Sequence, residues 1–312
     1  MNDMIDLLER SATPSPDAPR LPLVWHTGRR ELTGRAGRLS CFVAGEGPPL
    51  LLVHSVNAAA SAYEVRPIFD RMQATHRVYA VDLPGFGFSD RRPRDYNIRL
   101  FTDAVHDMLN LIAADAGAWP VDALAISLGS EFLARAVTEA PERFRSLTFV
   151  TPTGFSKKAA DDASSGATRE IPGLLRFLEY PLWSQAIFNL LVRRRSIRYF
   201  LRRTFGSKHI DEALWEYCFQ TAHRPGARHA PFAFVSGRLF SKDIERTYKA
   251  LTPPVWVPHA TRGDFKDFSR ARTVAERPNW RFQPFDTGAL PHFERPGEFF
   301  PAFEAFLAAR AP

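Results

Sequence analysis

The run Ala125-Ile126-Ser127-Leu128-Gly129 places a serine between two small residues, directly after an apolar stretch and directly before a helical pattern. A serine on such a strand-to-helix turn is held in strained backbone geometry, which needs small residues two positions away on either side. Its hydroxyl stands clear at the end of the strand, and the Leu128 N–H lies at a helix N-terminus, where it can stabilise an oxyanion. The chemistry indicated is nucleophilic attack by Ser127 on a carbonyl, although a serine that only caps a helix gives the same pattern.

The elements around this serine follow from apolar runs that alternate with helical patterns. Such continuous runs are typical of strands buried on both faces of a parallel sheet, and the alternation predicts helices packed on both faces of that sheet. The predicted strands are Arg38–Val43, Leu50–Val53, Arg77–Val81, Val121–Ile126, Leu147–Val150, Val255–Val257 and Trp280–Phe285, and the predicted helices are Val65–Gln73, Arg99–Ala113, Glu131–Glu139 and Pro296–Arg310.

The alternation breaks once, from about Lys157 to Leu251, where only helix-like patches occur. We therefore predict an α/β core formed by residues 21–156 and 252–312, interrupted by a helical insertion at residues 157–251. Residues 1–20 are expected to form a flexible N-terminal tail.

Two further motifs lie at predicted strand ends. Leu51-Leu52-Val53-His54-Ser55-Val56-Asn57 follows one strand, and Asp82-Leu83-Pro84-Gly85-Phe86-Gly87-Phe88-Ser89-Asp90 follows the next. Together with the serine turn, these motifs resemble the α/β-hydrolase fold with a helical cap. The resemblance covers residues 38–150, and the late strands extend it to the C-terminus. It implies a mostly parallel central sheet flanked by helices, with residues 157–251 as the cap.

The resemblance also implies roles for these loops. In that family a strand ends in His-Gly, and the next residue gives the second N–H of the oxyanion hole, a position that maps onto Val56. The family's glycine is replaced here by Ser55. The stretch Asp82–Asp90 matches the family's Asp-x-x-Gly-x-Gly-x-Ser-Asp segment, which braces the loop beneath the site.

The catalytic acid is expected, by the same resemblance, in the loop after the strand Val255–Val257, because the family's order is nucleophile, acid, base. Asp264 lies one residue later than the commonest spacing, and Asp267 lies three residues beyond it. We favour Asp264, because Gly263 frees the backbone to turn it inward. Asp267 is more easily interpreted as a solvated loop charge.

The base is where the chain departs from the family's pattern. Family members usually carry Gly-His after the last strand; aligned on Gly288 and Pro291, that histidine position holds Ala289, and His292 follows three residues later. A serine hydroxyl without an imidazole is a feeble nucleophile. Either His292 takes the role of the base or the triad is incomplete.

Composition limits the class of protein. Of 312 residues, 45% are hydrophobic and 24% charged, which excludes disorder and fibrous repeats, and no apolar stretch is long enough to span a membrane. The two cysteines lie far apart and the N-terminus has no secretory pattern, so we expect a soluble, cytoplasmic protein. No cluster has metal-ligand spacing and Gly85-Phe86-Gly87 lacks a following helix, so neither a metal nor another cofactor is expected.

The excess of positive over negative charge lies in the segment that includes the insertion. Residues 151–250 carry 17 Lys and Arg against 9 Asp and Glu, whereas the remainder carries 24 against 25. The arginines at 193–195, 198, 202 and 203 follow a helical pattern beside an apolar face. Such a helix can make a weak contact with an anionic membrane surface, and a solvated face is the alternative. Nucleic acid is not an expected partner, because no recognition pattern is present.

The sequence as a whole predicts a serine hydrolase that acts on a small hydrophobic ester. Ser127 would attack the carbonyl, the N–H groups of Val56 and Leu128 would hold the oxyanion, and His292 with Asp264 would transfer the proton. Ala289 supports a different class, a catalytically weak or inactive protein that binds an apolar ligand or a partner through its basic cap. A lyase or a carbon–carbon cleavage in the same pocket is a third alternative, because this fold hosts several chemistries.

Overall fold

The computed structural model describes residues 21–26, 28–117, 119–157 and 166–309. The expected tail at residues 1–20 lies outside the described residues. The described chain contains one eight-stranded sheet with strand order β1-β2-β4-β3-β5-β6-β7-β8, in which β2 pairs antiparallel with both β1 and β4 and the other pairs are parallel. The strands are β1 (Arg29–Gly34), β2 (Gly37–Ala44), β3 (Pro49–Val53), β4 (Arg77–Asp82), β5 (Val121–Ile126), β6 (Phe144–Val150), β7 (Val255–Ala260) and β8 (Trp280–Phe285). The predicted α/β class with a mostly parallel sheet is confirmed.

The central strands are buried on both faces, as their unbroken apolar runs predict. Every residue of β3 and β5 is buried. Side chains alternate across β3, so that Leu50 and Leu52 join one apolar cluster while Leu51 and Val53 join the other. Helices cover both faces: α1 (Arg66–Met72), α2 (Ile98–Ala116), α3 (Gly129–Glu139) and, after the last strand, α10 (Arg272–Ala275), α11 (Pro291–Glu294) and α12 (Pro296–Ala308).

The chain between β6 and β7 forms helices. In the described part of this segment, residues 166–251, the one β-type pairing is an isolated bridge between Thr168 and Ser241. Its helices are α4 (Leu174–Leu178), α5 (Ser184–Leu191), α6 (Arg194–Phe205), α7 (Glu212–Ala222), α8 (His229–Val235) and α9 (Ile244–Ala250). We call residues 166–251 the insertion.

The insertion rests on loops at the carboxyl ends of the parallel strands. The guanidinium of Arg91, in the loop after β4, donates at 2.8 Å both to the carbonyl and to the hydroxyl of Thr221 on α7. The buried carboxylate of Glu131, on the first turn of α3, accepts the N–H of Ser241 at 3.0 Å. These contacts place the helices of the insertion over the edge of the sheet where Ser127 lies. No helix of the described residues is both long and apolar enough to cross a membrane.

Candidate functional site

Ser127 lies at the turn from β5 into α3 with φ of 50°, and Thr151 is the other non-glycine residue with positive φ in the described chain. The Ser127 N–H donates to the Val150 carbonyl at 2.9 Å. A Cβ at Gly129 would lie 2.5 Å from the carbonyl oxygen of His54, which explains the need for a glycine two positions after the serine. The local motif therefore produces the strained turn, and it places that turn directly against the loop after β3.

Two backbone N–H groups near this turn lack an acceptor within the described chain. Val56 and Leu128 are both buried, and neither N–H has a hydrogen-bond acceptor among the described residues. The flanks of Val56 are held by one carboxylate: Glu64 accepts the Ser55 N–H and the Asn57 side-chain amide, each at 2.9 Å. Glu64 thus brackets the loop on which the predicted oxyanion donor lies. Burial raises the pKa of Glu64, and the bonds from Ser55 and Asn57 oppose that rise.

Glu64 is the residue that sequence reasoning missed. Its side chain is buried, and it lies on the short 3-10 helix Ala62–Val65. The available signal was a single acidic residue within a run of small and apolar residues from Ala58 to Val65. A carboxylate in such a run is usually buried and therefore needs hydrogen-bond donors.

His54 braces the same loop. Its Nε2 accepts the Leu83 N–H at 2.9 Å, so the ring proton is on Nδ1, which donates to the Ser55 carbonyl. Burial lowers the pKa of His54 to about 4, and both ring nitrogens are already engaged. The carboxylate of Asp82 accepts the N–H groups of Ala62 and Phe88, at 2.8 and 2.9 Å, and so ties the loop after β4 to the sheet.

His292 is directed at a backbone group. It lies on α11 with 1% of its surface exposed, and its Nε2 donates to the Glu64 carbonyl at 2.8 Å. Its Nδ1 is buried without a hydrogen-bond partner in the described chain. Burial lowers the pKa of His292 to about 4, so the ring is neutral at physiological pH. Neither ring nitrogen is hydrogen-bonded to Ser127 or to Asp264.

The two candidate acids are engaged elsewhere. Asp264 forms an ion pair with Arg203 on α6, and 43% of its side chain is exposed. Asp267 accepts the N–H groups of Lys157 and Ser269 at 2.9 and 3.1 Å and is also exposed. The structure therefore brings the turn of Ser127 and the loop of Val56 together, but it does not join Ser127, His292 and Asp264 in one hydrogen-bonded chain. The catalytic roles of His292 and Asp264 stay predictions.

Ala289, which is predicted to occupy the family's histidine position, is covered by the end of α6. It is 4% exposed, and its N–H donates to the Thr204 carbonyl at 2.8 Å. A Cβ added at Gly288 would lie 2.2 Å from that same carbonyl oxygen and 2.5 Å from the Cα of Phe205. The insertion therefore fills the space beside the position from which the family's base would act.

The contact between insertion and core is tight elsewhere as well. Ala58–Ala60, Gly85 and Phe86 face Thr221 and Ala222 of α7 across a gap too narrow to hold a water molecule. Burial lowers the pKa of Arg91 to about 10, although Asp82 opposes this effect, and the Arg91 side chain also donates to the Gly87 carbonyl. Within the described residues, no group of three or more His, Cys, Asp or Glu side chains could hold a metal ion.

Comparison with known proteins gives a consistent family. A family model described as alpha/beta hydrolase fold matches residues 48–201. A pimeloyl-[acyl-carrier protein] methyl ester esterase from Aliivibrio salmonicida is 24% identical over 252 residues, which cover 74% of this chain and 88% of the relative.

Solved structures agree in fold. A serine hydrolase involved in carbazole degradation superposes with a TM-score of 0.71 at 17% identity, covering 90% of this chain and 99% of the other. The epoxide hydrolase CorEH superposes with a TM-score of 0.69 at 20% identity, covering 90% and 98%. At these identities the likeness shows the fold alone, and the two named reactions differ, so the reaction has to be argued from the site.

Proposed function

Because this chain belongs to the α/β-hydrolase-fold superfamily, we propose that it is a slow serine hydrolase of small hydrophobic carboxylic esters, with Ser127 as the nucleophile. The observation that carries the proposal is the φ of 50° at Ser127, on a turn that lies against the loop of Val56. Strain of this kind is retained where the surrounding structure gains a function from it.

The proposed reaction has two halves with unequal support. In the first, the Ser127 hydroxyl oxygen attacks the ester carbonyl, its proton passes through a base to the departing oxygen, the alcohol leaves and an acyl-serine forms. The N–H groups of Val56 and Leu128 stabilise the oxyanion in this step. These two N–H groups are buried without an acceptor among the described residues, which supports this half.

Both halves need a base. In the first it accepts the Ser127 proton; in the second it takes a proton from the water that attacks the acyl-serine, the carboxylic acid leaves, and the proton returns to the Ser127 oxygen. The ring proton of His292 is on Nε2, so the lone pair that could accept the Ser127 proton is on Nδ1, which is buried without a partner in the described chain. Bringing Nδ1 to Ser127 requires the ring to move, and Asp264 can orient it only if its carboxylate leaves Arg203. Each rearrangement would cost free energy in any turnover that uses it. We therefore propose that both steps are slow and that deacylation, in which the base has to activate water, is the slower one, so that the acyl-serine accumulates.

Labelling with a fluorophosphonate tests the nucleophile. The probe should label the native protein once, Ser127→Ala should abolish the labelling, and Ser130→Ala should retain it. Ser130 is the matched control because it lies three residues away on α3, and its buried hydroxyl donates to the Ala125 carbonyl. Labelling that survives in Ser127→Ala, or no labelling of the native protein, would refute the proposal.

The kinetics of ester hydrolysis test the accumulation of the acyl-serine. With short-chain p-nitrophenyl esters, we expect a burst of one p-nitrophenol per chain, followed by a slow steady state.

A second candidate is a protein that binds an apolar ligand or a partner without hydrolysing it. The specific observation in its favour is the covered position of Ala289, whose N–H is bonded to Thr204. This candidate predicts no fluorophosphonate labelling and no burst, together with saturable quenching of tryptophan fluorescence by apolar esters that are recovered intact.

A further inference from the structure

Helices α5 and α6 expose apolar side chains that the fold leaves uncovered. Eleven large apolar residues are exposed in the described chain, and seven of them lie between Ile171 and Phe200. Leu190, Tyr199 and Phe200 are 55%, 53% and 49% exposed. Concentrations of exposed apolar groups on one segment mark interaction sites, whereas single ones are ordinary. We define the α5–α6 surface as Leu190, Arg193, Arg195, Tyr199, Phe200 and Arg202.

Helix α6 divides its arginines between two faces. Arg194 and Arg198, one turn apart, pair with Glu216 and Glu212 of α7 and lie over the ring of Trp215. That face is neutralised within the molecule.

On the second face of α6 the arginines have no ion-pair partner in the described chain. Arg195, Tyr199 and Arg202 are spaced i, i+4 and i+7 and therefore share one side of the helix. All three are exposed, and neither Arg195 nor Arg202 has an ion-pair partner among the described residues. Arg193, at the start of α6, is likewise exposed without an ion pair in the described chain.

The sequence supplies no acidic residue to this region. Residues 180–210 contain seven Lys and Arg and no Asp or Glu, so α5 and α6 themselves supply no carboxylate to the unpaired arginines. Leu190 lies beside the first turn of α6, because the Ser196 hydroxyl donates to its carbonyl at 3.0 Å. The end of α5 and the first turn of α6 therefore lie side by side.

We propose that the α5–α6 surface attaches this protein to an anionic lipid bilayer. A bilayer fits both halves of the pattern: arginine pairs with lipid phosphate, while aromatic and leucine side chains enter the interface between headgroups and acyl chains. A nucleic acid or an acidic protein would satisfy the arginines alone. The half-exposed Phe200 and Leu190, which lie on the same two helices as those arginines, favour the bilayer.

Co-sedimentation of the full chain with vesicles tests this proposal. Vesicles of phosphatidylcholine with phosphatidylglycerol at 3:1 should sediment the protein at low salt, and pure phosphatidylcholine vesicles should not. Arg195→Glu/Arg202→Glu should weaken the binding at least tenfold. Arg272→Glu/Arg281→Glu is the matched control, because both residues are exposed and the change in net charge is identical. Circular dichroism verifies folding, and Arg195→Gln/Arg202→Gln replaces the reversal if that variant misfolds.

The apolar half has its own variant. Leu190→Ser/Phe200→Ser should reduce binding several-fold even in low salt, whereas Trp119→Ser, at an exposed residue elsewhere on the chain, should not. Failure to sediment with anionic vesicles at low salt would overturn the proposal, as would equal losses in the two charge-reversed variants. Binding that is indifferent to the apolar changes, and that is matched by heparin, would overturn it in favour of a general polyanion contact.

Discussion

The imidazole of His292 donates a hydrogen bond to the backbone carbonyl of Glu64, and the Glu64 carboxylate in turn holds the loop of Val56 from both sides. The histidine expected to act as a base thus supports the predicted oxyanion donor through an intermediate residue. Its effect on Ser127 in this structure is therefore indirect.

Two substitutions at His292 distinguish a catalytic base from a structural residue that only holds the Glu64 carbonyl. His292→Ala should destabilise the protein by about 2–4 kcal/mol, because it opens a cavity and leaves the buried Glu64 carbonyl without its donor. His292→Gln can still donate to that carbonyl and should retain most of the stability. Denaturant unfolding measures the stability, and fluorophosphonate labelling measures the acylation rate. If His292 acts as an anchor, the labelling rate of the glutamine variant stays within a few-fold of the native protein; a hundredfold loss in both folded variants would identify a base.

Asp264 and Arg203 give a matched pair of substitutions. In this structure the Asp264 carboxylate pairs with Arg203 at the protein surface, and exposed ion pairs contribute little to stability. Asp264→Asn and Arg203→Gln should therefore both leave the unfolding free energy and the steady-state rate nearly unchanged. A large loss of rate in Asp264→Asn with none in Arg203→Gln would restore Asp264 as the catalytic acid.

Ala289→His tests the covered base position. Because Ala289 is buried against Thr204 of the insertion, the larger side chain has to displace the end of α6, and we expect a loss of about 1–3 kcal/mol in stability. The imidazole should nevertheless raise the rate of ester hydrolysis, since it stands at the predicted base position without requiring His292 to leave the Glu64 carbonyl. Ala289→Leu controls for size. If the histidine variant hydrolyses esters no faster than the leucine variant, an imidazole at this position cannot accept the Ser127 proton.

The strain at Ser127 can be measured directly. A left-handed backbone costs an L-residue about 1–2 kcal/mol, and glycine avoids this cost. Ser127→Gly should therefore be more stable than Ser127→Ala by about 1 kcal/mol, although both remove the nucleophile. Urea unfolding of the two variants gives the difference directly, and equal stabilities would mean that the turn is relaxed.

The sequence was informative where the signal is local. Strands β3 and β5 could be predicted because strands buried on both faces are written as largely apolar runs, and the Ser127 turn because its small neighbours are steric requirements. Strand β1, Arg29–Gly34, was missed: it is an edge strand, largely exposed, and its residues RRELTG contain no apolar run.

The candidate site was less predictable because its side chains are directed by distant contacts. His292 meets Glu64 across 228 residues, and Asp264 is captured by an arginine of the insertion. The sequence around His292 gives no sign of Glu64, and the sequence around Asp264 gives no sign of Arg203. An order of motifs along the chain can predict which loops meet, but not which way an aspartate or a histidine turns within them.

Acid should destabilise the native protein through its buried histidines. The pKa of His292 is about 4 in the folded chain and near 6.5 when unfolded, so between these values the unfolded state binds more protons and stability falls as pH falls. A shift of that size corresponds to roughly 3 kcal/mol of stability, fully present above pH 6.5 and lost by pH 4.

His54, whose pKa is also about 4, changes the stability in the same direction, whereas buried carboxyls such as Glu64, whose pKa is raised, change it in the opposite direction. The difference between native protein and His292→Gln isolates one group: the native chain should lose stability relative to the variant from pH 6.5 to 4. Parallel stability curves would mean that His292 titrates normally in the folded protein.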